Sequence, residues 1–272
     1  SEPWGRLEQI SEGIWGLVSD PLTDRTTLCN GGIVSGRAGG VVIEAFGSDD
    51  GARWMAQQAL RLAGRAPTHV IATHYHGDHT GGLSGAKEAS SPEVLMTEVT
   101  RDTMVERNNG APREILSEAQ VIDQRRPTEI DLGDRSLIVV PRRGHTDSDI
   151  SIEISDPSVV FCGDLVWNAM FPNYVDAIPS RLSQAVRLMR RREPTTYVPG
   201  HGPLADDAAM GRYIDLLDHV EGASRRALER GMTAEEAGTE YTLPTGLEDW
   251  TLFNPGYFAR AIGAWMSELE GA

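Results

Sequence analysis

Apolar and polar positions alternate through the first part of the chain, with glycine-rich or polar turns between the apolar runs. This pattern predicts two hairpins, one over residues 7–18 and one that pairs residues 28–34 with 40–46. Short runs of that kind, bounded by turn residues, are typical of β-strands. Later runs that predict strands lie at residues 68–73, 94–96, 129–132, 136–140, 149–154, 158–162 and 195–198.

A helical spacing of apolar residues appears between and after these runs. It is clearest over residues 49–63, where Asp49 or Asp50 is predicted to cap the start and Gly64 the end. Further helices are predicted after a cap at Ser180, from Asp206 to about Gly231, from a cap at Thr233, and over Phe258–Leu269. Strands and helices that alternate without a low-complexity linker predict one α/β domain.

Residues 98–126 interrupt this pattern with a polar stretch. The simplest interpretation is a solvated insertion. The alternative is a loop at the mouth of a binding pocket, because binding residues collect on loops that a rigid scaffold positions.

Composition and charge narrow the class of partner. The chain has 272 residues, of which 40% are hydrophobic, enough for a sizeable core, and it has no apolar run long enough to span a membrane. Its net charge is −15, from 40 acidic and 25 basic residues. The negative electrostatic field of such a chain repels phosphate backbones and anionic lipid surfaces. We therefore expect a small-molecule substrate, and neither nucleic acid nor a membrane as partner.

Two further features concern cellular context. Cys29 and Cys162 are far apart in the chain, so they can pair only if folding brings them together; Cys162 lies in an apolar run and is expected to be a small buried residue. The chain begins at Ser1 without a methionine, from which we expect an exported, periplasmic protein, with a cleaved expression tag as the alternative.

Candidate chemistry is concentrated in residues 73–82, directly after a predicted strand. His74 and His76 are two positions apart, so on extended backbone they point the same way. Gly77 then lets the chain turn, and Asp78 and His79 can face a second point nearby. Imidazole and carboxylate are ligands that zinc and similar cations prefer, so this stretch predicts a metal site.

This His-x-His-x-Asp-His pattern resembles the metallo-β-lactamase superfamily. The later ligand motifs of that family are a Gly-His-Thr, a Gly-Asp at a strand end and a Gly-His near the end of the core. They occur here in the same order, at residues 144–146, 163–164 and 200–201, so the resemblance covers roughly residues 7–205.

The resemblance implies a ligand set for two divalent metal ions, with zinc expected and iron or manganese as alternatives. His74, His76 and His145 would hold one ion. Asp78, His79 and His201 would hold the other, and Asp164 would bridge the two. The remaining histidines, His69 and His219, are expected to be structural.

The resemblance also implies the fold, an αββα four-layer sandwich of the α/β class. We expect residues 1–272 to form a single domain, with a core of about 7–205 and a helical C-terminal extension of about 206–272.

The implied activity is hydrolysis by a metal-bound hydroxide, with Asp78 as the catalytic residue that orients the nucleophile and passes its proton to the leaving group. Asp147 and Asp149 are candidates for orienting a ligand histidine, and are equally well explained as turn and strand-start residues.

Departures from known branches of the family narrow the substrate. Acyl-homoserine lactonases have tyrosine where this chain has Trp167. Glyoxalase II-type thioesterases bind the anionic tail of glutathione with basic residues late in the chain, and after Arg230 this chain has only Arg260. We therefore expect a small ester, lactone or amide. Trp167, Phe171 and Tyr174, in the loop after Asp164, are the candidate substrate-binding residues, with ordinary core as their alternative.

Two alternative activities remain open at this point. One is a β-lactamase-like activity, although the lactamases that share the His-x-His-x-Asp-His pattern lack a bridging aspartate. The other is an iron-dependent sulfur dioxygenase-type oxidoreductase, which the ligand types permit. The chain has no flavin fingerprint and no Cys-x-x-Cys relay, and its full ligand set favours hydrolysis.

Overall fold

The computed structural model describes residues 5–20, 22–109 and 111–271. Ser1, on which the export prediction depends, lies outside them. Within the described chain the strands form two sheets, one of seven strands and one of five.

The first sheet follows chain order from β1 to β7. Neighbouring strands are antiparallel from β1 to β4 and parallel from β4 to β7. Its strands are β1 (Arg6–Ser11), β2 (Ile14–Val18), β3 (Gly31–Ser35), β4 (Gly40–Ile43), β5 (His69–Ile71), β6 (Glu93–Thr97) and β7 (Gln120–Ile122). Both predicted hairpins are therefore present.

The second sheet has the order β12-β11-β10-β9-β8. Its neighbouring strands are antiparallel except β11 and β12, at one edge of the sheet, which run parallel. Its strands are β8 (Thr128–Asp131), β9 (Ser136–Pro141), β10 (Ile150–Ile154), β11 (Val159–Trp167) and β12 (Thr196–His201).

Helices cover the outer face of each sheet. The helices of the first half are α1 (Asp49–Ala63), α2 (Gly77–Thr80), α3 (Leu83–Ser90), α4 (Glu98–Arg107) and α5 (Arg113–Glu118). Those of the second half are α6 (Pro179–Met189), α7 (Asp207–Glu229), α8 (Ala234–Glu240) and α9 (Tyr257–Glu270). The last three form the predicted helical extension, in which α9 packs against both α7 and α8.

The period-2 pattern of the strands explains the layers. In β4, Val41 and Ile43 point into the apolar layer between the sheets, whereas Val42 points to the helices of the first half. In β11, Phe161 belongs to the layer between the sheets and Cys162 to the core under the C-terminal helices. Strands buried on both faces in this way confirm the predicted αββα sandwich.

The structure differs from the sequence predictions mainly at helix starts and in the polar stretch. Ser48 caps α1 in place of Asp49 or Asp50, and α6 begins at Pro179 after Ile178, so Ser180 is not its cap. Residues 98–126 contain two helices and a strand instead of a loop, because Met104 and Leu116 give that stretch its own buried contacts.

The structure shows the state of the two cysteines and the character of the described helices. Cys29 and Cys162 are both buried and unpaired in the described chain, as was expected for Cys162. No helix in the described ranges has the length and apolarity to cross a bilayer.

Candidate metal centre

The ligand residues predicted from the sequence converge at one end of the two sheets. His74 follows β5, His145 lies in the loop between β9 and β10, Asp164 lies within β11, and His201 ends β12. Gly200 is required there, because a Cβ at that position would collide with the carboxylate of Asp164. The other three ligand residues are His76, which precedes α2, and Asp78 and His79 in its first turn.

The first cluster combines three imidazoles and one carboxylate oxygen. His76 Nδ1 lies 3.1 Å from His74 Nε2 and 3.0 Å from His145 Nε2. His145 Nε2 lies 3.3 Å from Asp164 Oδ2. His74 and His145 are almost completely buried, at 0% and 1% exposure.

The second cluster combines two imidazoles and two carboxylates. His79 Nε2 lies 3.0 Å from Asp164 Oδ1 and 3.5 Å from Asp78 Oδ2. His201 Nε2 lies 3.2 Å from Asp78 Oδ2 and 3.4 Å from Asp164 Oδ1. Asp164 therefore turns Oδ2 to the first cluster and Oδ1 to the second, which is the arrangement that the bridging assignment requires.

The donor atoms fit divalent cations. Four donors at about 2.0–2.1 Å from a tetrahedral zinc are separated by roughly 3.3 Å, and the separations above are close to that value. Asp164 Oδ1 and His201 Nε2 are buried and, within the described residues, have no hydrogen-bond partner of good geometry. Buried polar atoms are rarely left unsatisfied, and a cation in each cluster would satisfy these two.

Burial and charge give the histidines different protonation. Burial lowers the pKa of His74 well below its ordinary value and that of His145 to about 3, which leaves both rings neutral. Burial opposes charge on His201 too, but the carboxylates of Asp164 and Asp78 raise its pKa to about 9. A cation in the second cluster must displace the proton of His201, so its binding releases protons.

A buried carboxylate, Glu44, lies behind the second cluster. Glu44 Oε1 lies 3.1 Å from His79 Nδ1, and it accepts a hydrogen bond of 2.6 Å from Thr73 Oγ1. Thr73 Oγ1 lies 3.0 Å from His74 Nδ1. Glu44 thereby places a negative charge beside His79 without a hydrogen bond of good geometry, and through Thr73 it contacts the outer ring nitrogen of His74. A lone glutamate after a strand gave no sequence signal for this role.

A second such contact comes from residues that sequence analysis did not single out. Asp176 Oδ2 lies 2.9 Å from His76 Nε2, and Arg107 at the end of α4 contacts both oxygens of Asp176, at 2.9 and 3.2 Å. Arg107 also lies over the ring of Tyr75, 4.7 Å from its centroid. The polar stretch 98–126 thus contributes Arg107 to the contacts around His76, although it forms helices and a strand and none of its described residues lines the pocket above the two clusters.

The candidates Asp147 and Asp149, unlike Asp176, do not contact a ligand imidazole through a hydrogen bond in the described chain. Asp149 accepts hydrogen bonds from the amide and hydroxyl groups of Thr146, at 2.9 and 2.7 Å, which fix the loop that carries His145. Within the described chain, neither carboxylate hydrogen-bonds a ligand imidazole. Their interpretation as turn and strand-start residues is the better one.

A cavity of about 250 Å³ opens above the two clusters. It is lined by Leu28, His76, Asp78, His145, Asp164, Trp167, Met170, Asn173, His201, Phe253 and Tyr257. Trp167 therefore lies on the pocket wall as expected, with its ring centroid 4.3 Å from that of His201. Its indole N–H is buried and has no hydrogen-bond partner in the described chain.

The other two aromatic candidates lie elsewhere. Phe171 is fully buried and packs on Tyr241 and Phe258, and Tyr174 is 2% exposed in the same core. The expectation that they contact substrate is therefore corrected to their alternative, ordinary core. The reason is the extension, whose helices cover the loop after β11 and bury these rings.

Comparison with known proteins agrees with this geometry. The family model described as the metallo-beta-lactamase superfamily matches residues 25–201. A hydroxyacylglutathione hydrolase of Rhodospirillum rubrum is 28% identical over 214 residues, which are 78% of this chain and 76% of that protein. A type 2 metallo-beta-lactamase of a Bacillus species is 24% identical over 221 residues, covering 78% of this chain and 81% of that protein.

Solved structures extend the likeness in fold. A metallo-beta-lactamase from Pontibacter korlensis aligns with a TM-score of 0.66 at 22% identity, over 79% of this chain and 99% of that one. A sec-alkylsulfatase from a Pseudomonas species aligns with a TM-score of 0.72 at 15% identity, over 95% of this chain and 50% of that one. An alignment of 95% must include most of residues 206–272, so the helical extension also has a structural counterpart.

The named sequence relatives are hydrolases, which supports a metal-dependent hydrolase here. The family model covers well over half of the chain, and the predicted ligands form two groups that could each hold a metal ion. This chain belongs to the metallo-β-lactamase superfamily.

Proposed function

We propose that the protein hydrolyses a small-molecule ester, thioester, lactone or amide at the two ligand clusters, with two zinc ions as the resident metals. The single observation that carries this proposal is the position of Asp164, whose two oxygens face different clusters at 3.3 Å from His145 and 3.0 Å from His79. A shared carboxylate couples two cations at the base of one pocket.

Zinc supplies the electrophile when it is bound, because it polarises a carbonyl oxygen and lowers the pKa of a water molecule towards neutrality. The donor set is compatible with zinc, since imidazole nitrogens and carboxylate oxygens are both zinc ligands. Zinc also needs no change of oxidation state, which suits the absence of a flavin fingerprint and of a Cys-x-x-Cys relay in the sequence.

Asp78 is the residue placed to move the proton. Its side chain is 31% exposed and lines the pocket, whereas that of Asp164 is 3% exposed. In the proposed reaction a bond forms between the acyl carbon and the oxygen of water, and the bond from that carbon to the leaving group breaks. The Asp78 carboxylate accepts the proton of the attacking water and passes it to the leaving group.

The relatives add thioesters to the substrate range. The sequence alone argued against a glutathione thioesterase, because the tail offers Arg260 as its one basic residue. Relatives named hydroxyacylglutathione hydrolase support thioester cleavage as a reaction of this site, without supporting the glutathione portion. β-Lactam cleavage is the second candidate, favoured by the relatives named metallo-beta-lactamase type 2.

The test uses protein that is freed of metal, reconstituted with zinc and assayed without oxygen on a panel of esters, thioesters, lactones and β-lactams. We expect two zinc ions per chain and turnover of an acyl ester or thioester. If the dizinc protein is inert on the whole panel while iron-loaded protein consumes oxygen with a thiol or persulfide, the oxidoreductase alternative replaces the proposal. If β-lactams are turned over faster than every ester and thioester, the second candidate replaces it.

A further inference from the structure

The upper wall of the pocket is supplied by the helical extension. Phe253 and Tyr257 line the pocket together with Met170 from the loop after β11. The rings of Phe253 and Tyr257 stack with centroids 6.4 Å apart. Phe253 is 46% exposed, although exposing a large ring to water is unfavourable. A backbone bridge between Met170 and Thr251 fixes the segment against the loop. Part of the pocket therefore lies outside residues 25–201, which the family model matches.

Another residue that lines the pocket has an unusual backbone conformation. Leu28 lines the pocket with φ of 64°, in the left-handed region that favours glycine. This conformation is unfavourable for a bulky residue, and such residues cluster at functional sites. Its side chain meets Gly47 on the protein side, so this conformation directs an apolar group to the pocket edge.

A single polar group stands out on the upper wall, the amide of Asn173. Arg260 Nη1 donates a hydrogen bond of 2.7 Å to Asn173 Oδ1, and the guanidinium lies 5.3 Å from the centroid of Tyr257. Arginine has no acceptor, so the bonded atom must be the amide oxygen. The amide NH₂ of Asn173 is then left for the pocket, since no protein acceptor bonds it in the described part of the chain.

Away from the ligand clusters, the described residues of the pocket wall offer no ion pair to an anionic tail. No lysine or arginine is among its lining residues in the described ranges, and Arg260, behind the wall, is engaged with Asn173 and Tyr257. A carboxylate on the substrate would lose its hydration next to Phe253 and Leu28 without gaining an ion pair. An uncharged apolar group gains from the same surroundings.

We propose that this pocket selects esters or thioesters with an uncharged, apolar acyl group, which packs between Leu28 and Phe253. Asn173 donates a hydrogen bond to the substrate, and Arg260 is the positioning residue that orients the amide. The assignment of an acyl group rests on the proposed hydrolase function. The apolar selectivity itself concerns binding and can be measured without turnover.

The first experiment uses zinc-loaded protein and p-nitrophenyl esters of acetate, butyrate and hexanoate, with the monoester of succinate as the charged probe. Each buried methylene contributes about 0.8 kcal/mol, or a factor of about four. We expect kcat/KM to rise by about that factor per methylene, and the succinate ester to be cleaved at least about tenfold more slowly than butyrate.

Variants then locate the selectivity. Phe253→Ala and Leu28→Gly should flatten the chain-length dependence, and Leu28→Gly suits the local backbone, so it should remain folded. Leu60→Ala, which removes an exposed leucine of α1 far from the pocket, is the matched control and should keep the dependence. A wild-type profile that rises with chain length and stays unchanged in Phe253→Ala and Leu28→Gly would overturn the assignment of these walls.

The amide is tested separately. Asn173→Ala and Arg260→Ala should both raise KM about tenfold with a smaller effect on kcat, since a hydrogen bond to substrate contributes about that much. Arg260→Lys, which can still donate to Asn173, should restore part of the loss. A purely structural Arg260 would instead lower thermal stability in both variants and leave KM for all esters unchanged.

The second experiment separates this inference from the proposed hydrolysis. Binding of 2-butanone, 2-hexanone and 2-octanone to the zinc-loaded protein is measured by calorimetry, because these neutral ketones cannot be hydrolysed. Affinity that rises with chain length in the wild type and not in Phe253→Ala supports the apolar pocket even if no ester is turned over. Ester turnover with flat profiles in both experiments overturns the inference and leaves the proposed hydrolase standing.

Discussion

Asp176 accepts a hydrogen bond from His76, with 2.9 Å between Oδ2 and Nε2, so that a carboxylate outside the ligand set fixes the ring that faces the first cluster. The contacts with His76 and with Arg107 hold the pKa of Asp176 well below its usual range. The carboxylate is therefore ionised at neutral pH. It keeps the proton of His76 on Nε2 and leaves Nδ1 free to bind a cation.

Replacing this carboxylate should weaken one metal site selectively. We expect Asp176→Asn to reduce zinc affinity of the first site by about tenfold, because partners of ligand histidines typically contribute 10–100-fold to affinity. The measurement is competition with a zinc chelator on metal-free protein, resolved into two binding steps. Glu106→Gln, next to Arg107 and exposed, is the control. Equal weakening of both steps would contradict a role confined to His76.

The sequence predicted the ligands and missed this contact for a physical reason. His74, His76, Asp78 and His79 are recognisable because a strand followed by a tight turn fixes their directions locally. Arg107 and Asp176 are 69 residues apart, and only tertiary packing brings them together. The same reason explains Phe171 and Tyr174, since the residues after Asp164 showed an aromatic loop but not that the extension would cover it.

The helix predictions were also right where the sequence signal is local and unambiguous. The spacing of apolar residues predicted the bounds of α1 as they are found, Asp49–Ala63, because that signal is local. Its cap was missed since Ser48, which accepts a hydrogen bond from Gly51, precedes two acidic residues that are also good caps. The cap of α6 was missed because Pro179 occupies its first turn.

The bridging position of Asp164 predicts which substitutions remove one metal and which remove two. Asp164→Ala should lower zinc content at both sites and abolish hydrolysis, since its oxygens face both clusters. His76→Ala should deplete the first site and Asp78→Asn the second. Zinc content by elemental analysis after dialysis against a weak chelator checks all three. Two zinc ions and full activity in Asp164→Ala would show that the residue is not a bridge.

The indole of Trp167 should affect substrate more than metal. Trp167→Phe keeps an aromatic ring beside His201 and removes the unpaired N–H, whereas Trp167→Ala removes both. We expect both variants to retain two zinc ions, with a severalfold higher KM for the alanine variant and a smaller change for phenylalanine. Kinetics on the ester panel and zinc analysis are the measurements. If Trp167→Ala is unfolded and Trp167→Phe has unaltered kinetics, Trp167 is a core residue and has no role in substrate binding.

A partly buried ion cluster away from the metals predicts the acid sensitivity of the fold. Glu153 on β10 lies 2.8 Å from Arg142 and 2.8 Å from Arg191, and its side chain is 16% exposed. Burial opposes its ionisation, but the bonds from Arg191 and Arg142 lower the pKa of Glu153 below its ordinary value of 4.5. The carboxylate therefore joins the end of β9 to the segment after α6.

The sign of the pH dependence follows from that lowered pKa. The stabilisation from Glu153 is fully present above pH 4.5, the unfolded-state value, and is lost as the pH falls through the lower folded-state value. Glu153→Gln should therefore cost about 1 kcal/mol of unfolding free energy at pH 7, because it leaves two partly buried arginines without their shared counter-charge. The difference from wild type should shrink below pH 4.5. Urea unfolding of the metal-free proteins at several pH values measures it, with Glu229→Gln on the exposed end of α7 as the control, and a difference that grows in acid would rule out this role for Glu153.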